Sequence, residues 1–337
     1  MAPSMIPPTM VARVLNIHGR LRNSPLYLGQ ADVQQNVKWV RRGNSDILVL
    51  RHEIGDNDEN DHAEAEATTQ ANDAPSTTEV NTSTDTEAEP VQGSDDPAIL
   101  SAVCEINASD FYMTADGGYQ GPTQYIPSFA QVKPTCTGSK PGVVPFTDDF
   151  AQVCDNIKAL QREITTPGFT HMRGVLSSDE PRFARLKMQH VLFQPKDADD
   201  DENNAEDSPH GDIPSFCKIE NWPTYSAAAA TELQRIIDDG TLDLIPLPAY
   251  DRHGDLMFPG QYRNYLTGAV VECHFTLSHW SIKKNNIGMD VFVADVVALR
   301  VIIPPTSFTS PRKRRVPPRL DPLSPPSPDA PVKRLRF

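Results

Sequence analysis

The sequence has no long hydrophobic run and no paired cysteines. Its most apolar stretch, residues 291–303, is interrupted by Asp295 and Arg300 and is too short to span a bilayer. The N-terminal residues lack the charged-then-apolar layout of a secretory signal. The 5 cysteines are scattered, without a Cys-x-x-Cys pair, which argues against a disulfide framework or a zinc knuckle. These absences predict a soluble intracellular protein that has no membrane partner.

Catalytic signatures are missing as well. The sequence contains no Gly-x-Ser-x-Gly, no Walker loop and no dinucleotide fingerprint. Cys273 and His274 are adjacent on one expected strand, so they point to opposite faces and cannot clasp one ion together with His279. The aspartates between residues 238 and 255 could attract Mg²⁺, but helix capping and turn formation explain them. We therefore expect that the protein is not an enzyme and that it binds neither a metal ion nor another cofactor.

Charge is distributed very unevenly along the chain. The formal net charge is −14, and residues 53–96 alone contain 14 acidic and no basic side chains. A second acidic stretch spans residues 197–212, whereas the last 32 residues are basic and rich in Pro and Ser. Such segments bury too little apolar surface to offset about 1–2 kcal/mol of backbone entropy per residue, which predicts disorder.

These shifts in composition divide the chain into six segments. They are an N-terminal β segment (1–54), a disordered acidic tract (55–97), a β/α block (98–196), a disordered acidic loop (197–212), a helix plus a closing β-hairpin (213–305), and a disordered basic tail (306–337). Because the first segment has too few strands to stand alone, we expect it to complete one composite β domain.

Strand-like alternation dominates the segments expected to fold. The pattern predicts strands at residues 10–22, 37–41, 47–52, 100–106, 169–176 and 183–193, with a tight turn at Arg42–Ser45. It also predicts a helix after an N-cap at Thr147 and a second helix over residues 226–237 that stops near Gly240. The expected fold class is mainly β with two or more helices (α+β), built as a small antiparallel barrel.

The clearest pattern lies near the C-terminal end. Val271, Cys273, Phe275 and Leu277 fall on one face of a strand, and the apolar phase of the next strand shifts at residues 295–297, as at a β-bulge. The motif Gly-Ala-Val-Val-Glu-Cys-His-Phe-Thr-Leu, a basic loop and Phe-Val-Ala-Asp-Val-Val-Ala-Leu-Arg-Val-Ile follow one another here. Residues 260–305 thereby resemble the closing hairpin of OB-fold single-stranded-DNA-binding proteins, which implies an OB-like barrel. They are also similar to uncharacterised proteins of mushroom-forming fungi, a resemblance that carries no activity.

Aromatic residues flanked by cations are candidates for contact with single-stranded DNA or RNA. Stacking on aromatic rings and a positive groove are what such binding needs. The candidate residues are Trp39, Arg41, Arg42, Tyr262, Arg263, Trp280, Lys283 and Lys284. The alternative is that each tryptophan packs in the core or at a sheet edge and that the lysines form a solvated loop.

The tail carries short motifs of nuclear proteins. Arg312, Lys313, Arg314 and Arg315 resemble a nuclear localisation signal, whose partner is an import receptor. Ser310 resembles a cyclin-dependent kinase site, and residues 333–337 resemble a cyclin-docking peptide. Further Ser-Pro sites for such a kinase are Ser324 and Ser327. A phosphate on Ser310 would weaken recognition of the basic cluster by adding negative charge beside it.

Two interpretations of the function remain open. In the first, a nuclear β-barrel binds single-stranded nucleic acid without catalysis, and the acidic tract competes for its basic groove. Deleting residues 55–96 should then raise the affinity for oligo-dT. In the second, the same module is a nuclear interaction scaffold whose acidic tract and tail contact basic partner proteins.

Overall fold

A long hairpin near the C-terminus is the centre of the sheet in the computed structural model. The structure describes residues 8–51, 96–196, 214–284 and 287–305. All of them belong to one compact unit that ends at Pro305. The two acidic segments, the tail motifs with Ser310, Ser324, Ser327 and the cluster 312–315, and the side chain of Lys284 lie outside the described residues.

The described part of the chain is a mixed α+β structure, mostly sheet. Its helices are α1 (Pro8–Arg22), α2 (Phe146–Arg162), α3 (Ala227–Asp239) and α4 (Tyr262–Leu266). Its strands are β1 (Val37–Arg42), β2 (Ser45–Leu50), β3 (Leu100–Ile106), β4 (Thr135–Ser139), β5 (His171–Arg173), β6 (Arg185–Gln189), β7 (Phe193–Pro195), β8 (Leu242–Leu244), β9 (Ala249–Tyr250), β10 (Val270–Lys284) and β11 (Ile287–Ile303).

Five strands are paired in a ring. β10 pairs with β3, β3 with β4, β4 with β6, β6 with β11, and β11 returns to β10. Only the β6–β11 pair is parallel; the other four pairs of the ring are antiparallel. The β1–β2 hairpin joins the ring because β2 pairs with β10, and the short strands β5 and β9 pair with β11 in parallel. β7 and β8 form a separate two-stranded sheet.

The alternation predicted for the C-terminal hairpin is confirmed. Val271, Cys273, Phe275 and Leu277 are all buried in the main hydrophobic core. The predicted bulge is confirmed too, because the register skips Val297 between the two strands. An extra residue on one strand bends the ribbon there, which allows a long hairpin to curve around a core.

The prediction of a strand over residues 10–22 is wrong, because these residues form α1. Val14 and Leu21 are buried, and Ile17 packs beside them, so the apolar positions follow the three- and four-residue spacing of a helix. The helix covers the outer face of the sheet against Val103 and Val270. In a strand Val14 and Ile17 would point to opposite faces, so the two-residue alternation does not describe the buried positions and the helical spacing does.

Two predicted helices are confirmed, one of them with a different start. Ser226 caps α3 by accepting from the amide of Ala229, and Gly240 ends the helix with a left-handed φ of 60°. α2 begins at Phe146 rather than after Thr147, whose hydroxyl donates to the carbonyl of Pro141 instead of capping. Its apolar face packs into the same core as the ring.

Candidate nucleic-acid interface

Three positions lie in one row across β5, β11 and β10. Val291 is paired with Arg173 on one side and with Trp280 on the other. Residues paired in register project from the same face of a sheet, and adjacent strands are about 4.8 Å apart. The row therefore places an exposed guanidinium two strands away from an indole ring that is 41% exposed.

A cleft opens beside this row. β5 pairs with β11 only as far as Val291, and β6 pairs with β11 only at Asp295, so the strand between them has no partner on that side. The cleft has a volume of about 230 Å³, and Arg173, Lys187 and Val293 are among the residues that line it. We call Arg173, Lys187, Trp280, Val291 and Val293 together the hairpin surface.

Lys187 is the second cation of the hairpin surface. It projects outward from β6 between the buried Leu186 and Met188. Partial burial, and then the nearby charge of Arg173, lower the pKa of its ammonium group. Two cations that raise each other's electrostatic energy in this way are well placed to receive an anion.

Asp295 follows the cleft-lining Ala294 and is already engaged. It accepts a hydrogen bond of 2.8 Å from the side-chain amide of Gln189, which also lines the cleft. The tip of the hairpin, by contrast, exposes apolar side chains: Ile282 is 43% exposed and Ile287 is 57% exposed. The hairpin surface thus combines cations with an exposed indole, and the hairpin tip next to it adds exposed aliphatic groups.

The structure does not bring all predicted residues together. Trp39 and Arg41 project from the face of the sheet that carries His279, opposite to Trp280. The indole of Trp39 donates to the carbonyl of Leu160 at 2.9 Å and contacts His279 edge-on. Trp39 is therefore a packing residue, the alternative already open from the sequence.

Arg41 is engaged in a buried polar network. Its guanidinium donates to Asp46 at 2.9 Å, and Asp46 also lies 2.9 Å from Nδ1 of His279. Nε2 of the same ring lies 3.0 Å from Asp290, which in turn accepts from the amide and hydroxyl of Thr166. Each nitrogen of the ring is thus within hydrogen-bond distance of a different carboxylate. The network joins the β1–β2 hairpin to β10 and β11.

Other predicted residues lie at separate places. Tyr262 is buried in the core and donates its hydroxyl to the carbonyl of Leu247, so its ring does not face a ligand. Arg263 donates to the carbonyl of Phe111 and lies over that ring. Arg42 is exposed and shares the face of Trp280, whereas Lys283 is exposed at the hairpin tip on the opposite face.

Sequence reasoning missed Arg173 and Lys187. The alternation of residues 185–189 could have placed Lys187 on the polar side of a strand. Nothing in the sequence indicates that β5 and β6 both pair with β11 in parallel, because more than 100 residues separate the paired positions along the chain. Their proximity is a property of the tertiary structure alone.

Comparisons with protein-family models, curated proteins and solved structures give no match for this chain. None of the helices among the described residues has the length and apolar character needed to cross a membrane. Over the same residues, no group of three or more His, Cys, Asp or Glu side chains is arranged to hold a metal ion.

Proposed function

We propose that the protein binds single-stranded nucleic acid on the hairpin surface and does so without catalysis. The observation that carries the proposal is the row of Arg173, Val291 and Trp280 beside the cleft of Lys187. An exposed ring beside two cations offers a base a stacking face and offers the adjoining phosphates a positive wall.

The topology of the ring supports the same proposal. In chain order its strands are β3, β4, β6, β10 and β11, and they pair in the order first, second, third, fifth, fourth and back to first. The third and fifth strands are parallel. We propose that this ring is an OB-like barrel, a fold that binds oligonucleotides on its second and third strands and on the loop between the fourth and fifth. Lys187 lies on the third strand, and Trp280 lies near the end of the fourth.

The test measures binding of a fluorescein-labelled oligo-dT to the full chain by anisotropy at low and moderate salt. Trp280→Ala should weaken binding by about 1–3 kcal/mol, roughly five- to hundredfold, because one stacking face is lost. The double variant Lys187→Gln with Arg173→Gln should also weaken oligo-dT binding, and the loss of affinity should be larger at low salt than at moderate salt.

Matched controls come from outside the hairpin surface. Tyr125 is an aromatic residue that is 84% exposed, and Arg235 is an exposed cation on α3, so Tyr125→Ala and Arg235→Gln should leave the affinity unchanged. If all variants bind oligo-dT equally well, or if the wild type does not bind it, the proposal is wrong. Capture of basic proteins by the wild type in that case would favour the scaffold interpretation.

The nuclear location belongs to the same proposal and rests on the tail sequence. Replacing Arg312, Lys313, Arg314 and Arg315 by alanine should move a fluorescent fusion of the full chain out of the nucleus, because the import receptor reads consecutive cations. Ser310→Glu should weaken import in the same assay by adding negative charge beside the cluster. Unchanged import of the four-alanine variant would contradict this part of the proposal.

A further inference from the structure

A second basic cleft lies between α1 and the outer face of the β10–β11 hairpin. Its volume is about 460 Å³. The polar residues that line it are Arg13, Asn16, Arg20, Glu272 and Arg300. Neither the sequence motifs nor the proposed nucleic-acid interface accounts for this concentration of guanidinium groups.

The helix and the strand each contribute to the cleft by simple geometry. Arg13 and Arg20 are seven residues apart on α1, two helical turns, and therefore lie on the same side of the helix. Arg300 is paired in register with Glu272 across the hairpin, so both project toward that helix. Three guanidinium groups and one carboxylate thus meet in one place.

The carboxylate neutralises only one of the three cations. Glu272 accepts from Arg20 at 2.5 Å and from His274 at 2.7 Å, and its side chain is 1% exposed. Both of its oxygens thereby have a partner, Arg20 on α1 and His274 on β10. Arg13 and Arg300 form no ion pair with any described residue.

These two arginines are incompletely satisfied. Nη2 of Arg13 is 3.5 Å from the carbonyl of Val301, at the limit of a hydrogen bond, and its Nε is buried without a partner. The guanidinium of Arg300 lies over the ring of Tyr250, 5.6 Å from its centroid, which leaves its N–H groups unpaired with any carboxylate. A buried donor without an acceptor costs about 1–3 kcal/mol, so an acceptor that reaches Nε of Arg13 recovers free energy, while the exposed Arg300 adds its charge.

We propose that this cleft binds a phosphate group. A phosphate presents several acceptor oxygens and up to two negative charges, which match two unpaired guanidinium forks better than a single carboxylate does. The cleft is separate from the hairpin surface, because Glu272 and Trp280 are eight residues apart on one strand, about 26 Å. The phosphate belongs either to a small phosphorylated molecule or to the backbone of a bound strand.

The experiment uses the full chain and two probes. Calorimetry with inorganic phosphate and with pyrophosphate, at constant ionic strength in chloride, measures the first source. Anisotropy with oligo-dT measures the second. The variants are Arg13→Gln with Arg300→Gln, the charge-retaining Arg13→Lys with Arg300→Lys, and the control Arg235→Gln.

The paired glutamine variant should weaken binding of one of the probes about tenfold or more, the paired lysine variant less, and Arg235→Gln not at all. A loss confined to phosphate and pyrophosphate assigns the cleft to a small phosphorylated ligand. A loss confined to oligo-dT assigns it to the strand. If the glutamine variant, folded by circular dichroism, binds both probes as the wild type does, or if neither probe binds the wild type, the proposal is overturned. The effect of the arginine variants does not depend on Trp280. The phosphate cleft and the proposed function can therefore be contradicted independently of each other.

Discussion

Nε2 of His279 lies 3.0 Å from Oδ1 of Asp290, while Nδ1 of the same ring lies 2.9 Å from Oδ2 of Asp46. All three residues are buried, and they come from β2, β10 and β11. The imidazole therefore separates two carboxylates that are largely shielded from water. This arrangement ties the N-terminal hairpin to the central hairpin through polar groups as well as through backbone pairing.

Removing the imidazole should destabilise the fold strongly. His279→Gln removes at least one of the two hydrogen bonds that the ring makes to Asp46 and Asp290, and a hydrogen bond to a charged group contributes about 1.5–3 kcal/mol. Urea denaturation followed by circular dichroism measures the effect. The control is Asp110→Asn, which breaks the exposed pair with Arg185 and should cost less than about 1 kcal/mol. Equal losses in the two variants would contradict the role of the network.

Glu272 should make stability depend on acid. Burial raises the pKa of its carboxyl, but hydrogen bonds from His274 and Arg20 outweigh burial and leave the pKa below the ordinary 4.5. The unfolded chain then binds more protons than the folded chain, so the stabilisation is present above pH 4.5 and is lost as the pH falls below it. Urea denaturation between pH 3 and pH 6.5 should show a shallower fall for Glu272→Gln than for the wild type. Parallel curves would show that this carboxylate does not contribute.

Truncation of the two tryptophans at the sheet should cost different amounts of stability. Trp39→Ala removes the bond to Leu160 and the contact with Phe292, and should cost about 3 kcal/mol of stability. Trp280→Ala should cost less than about 1 kcal/mol, because the side chain projects from an exposed face. Denaturation of both variants under the same conditions gives the comparison. A larger loss of stability for Trp280→Ala than for Trp39→Ala would mean that the ring of Trp280 packs against the fold and is not available to a ligand.

The hairpin surface should also be detectable in the salt dependence of binding. Each phosphate contact to a single strand contributes about −0.7 to the slope of log affinity against log salt. Lys187→Gln and Arg173→Gln should each reduce the magnitude of the slope by about this amount. Anisotropy titrations with oligo-dT at four salt concentrations measure it, with Arg235→Gln as the control. A slope that is the same in all variants would place the phosphate contacts elsewhere.

Close packing inside the ring predicts one sharp steric effect. A methyl group on Gly138 would overlap the thiol of Cys104, which is buried on the neighbouring strand. Gly138→Ala should therefore destabilise the protein by about 1–3 kcal/mol, as overpacked cores do. Cys104→Ala in the same chain should restore part of the loss, because it removes the overlapping atom. A double-mutant cycle by urea denaturation gives the coupling energy, and additive losses would contradict the contact.

The sequence by itself determined the elements that depend only on a local pattern of residues close together in the chain. The hairpin of β1 and β2, the capped helix α3 and the bulged β10–β11 ribbon all follow from local alternation, turn residues and caps. Local pattern was insufficient for α1, because apolar residues such as Leu15 stay exposed and only the packing against the sheet shows that Val14, Ile17 and Leu21 are the inward set. The short strand β4 went unpredicted because Thr135–Ser139 contains a single apolar side chain, that of Cys136, and so shows no alternation. Its pairing with β6 stabilises it as a strand.

The candidate sites show the same division. Composition and spacing identified Trp280 as an aromatic residue near cations, but the cations were sought in adjacent sequence. Only the tertiary structure decided that Arg173 lies in register two strands away from it and shares a cleft with Lys187, that Trp39 is a packing residue on the opposite face, and that Arg13 and Arg300 share a cleft. The physical reason is that strand pairing between distant segments determines which polar faces meet, and a linear pattern records only the face on which each side chain lies.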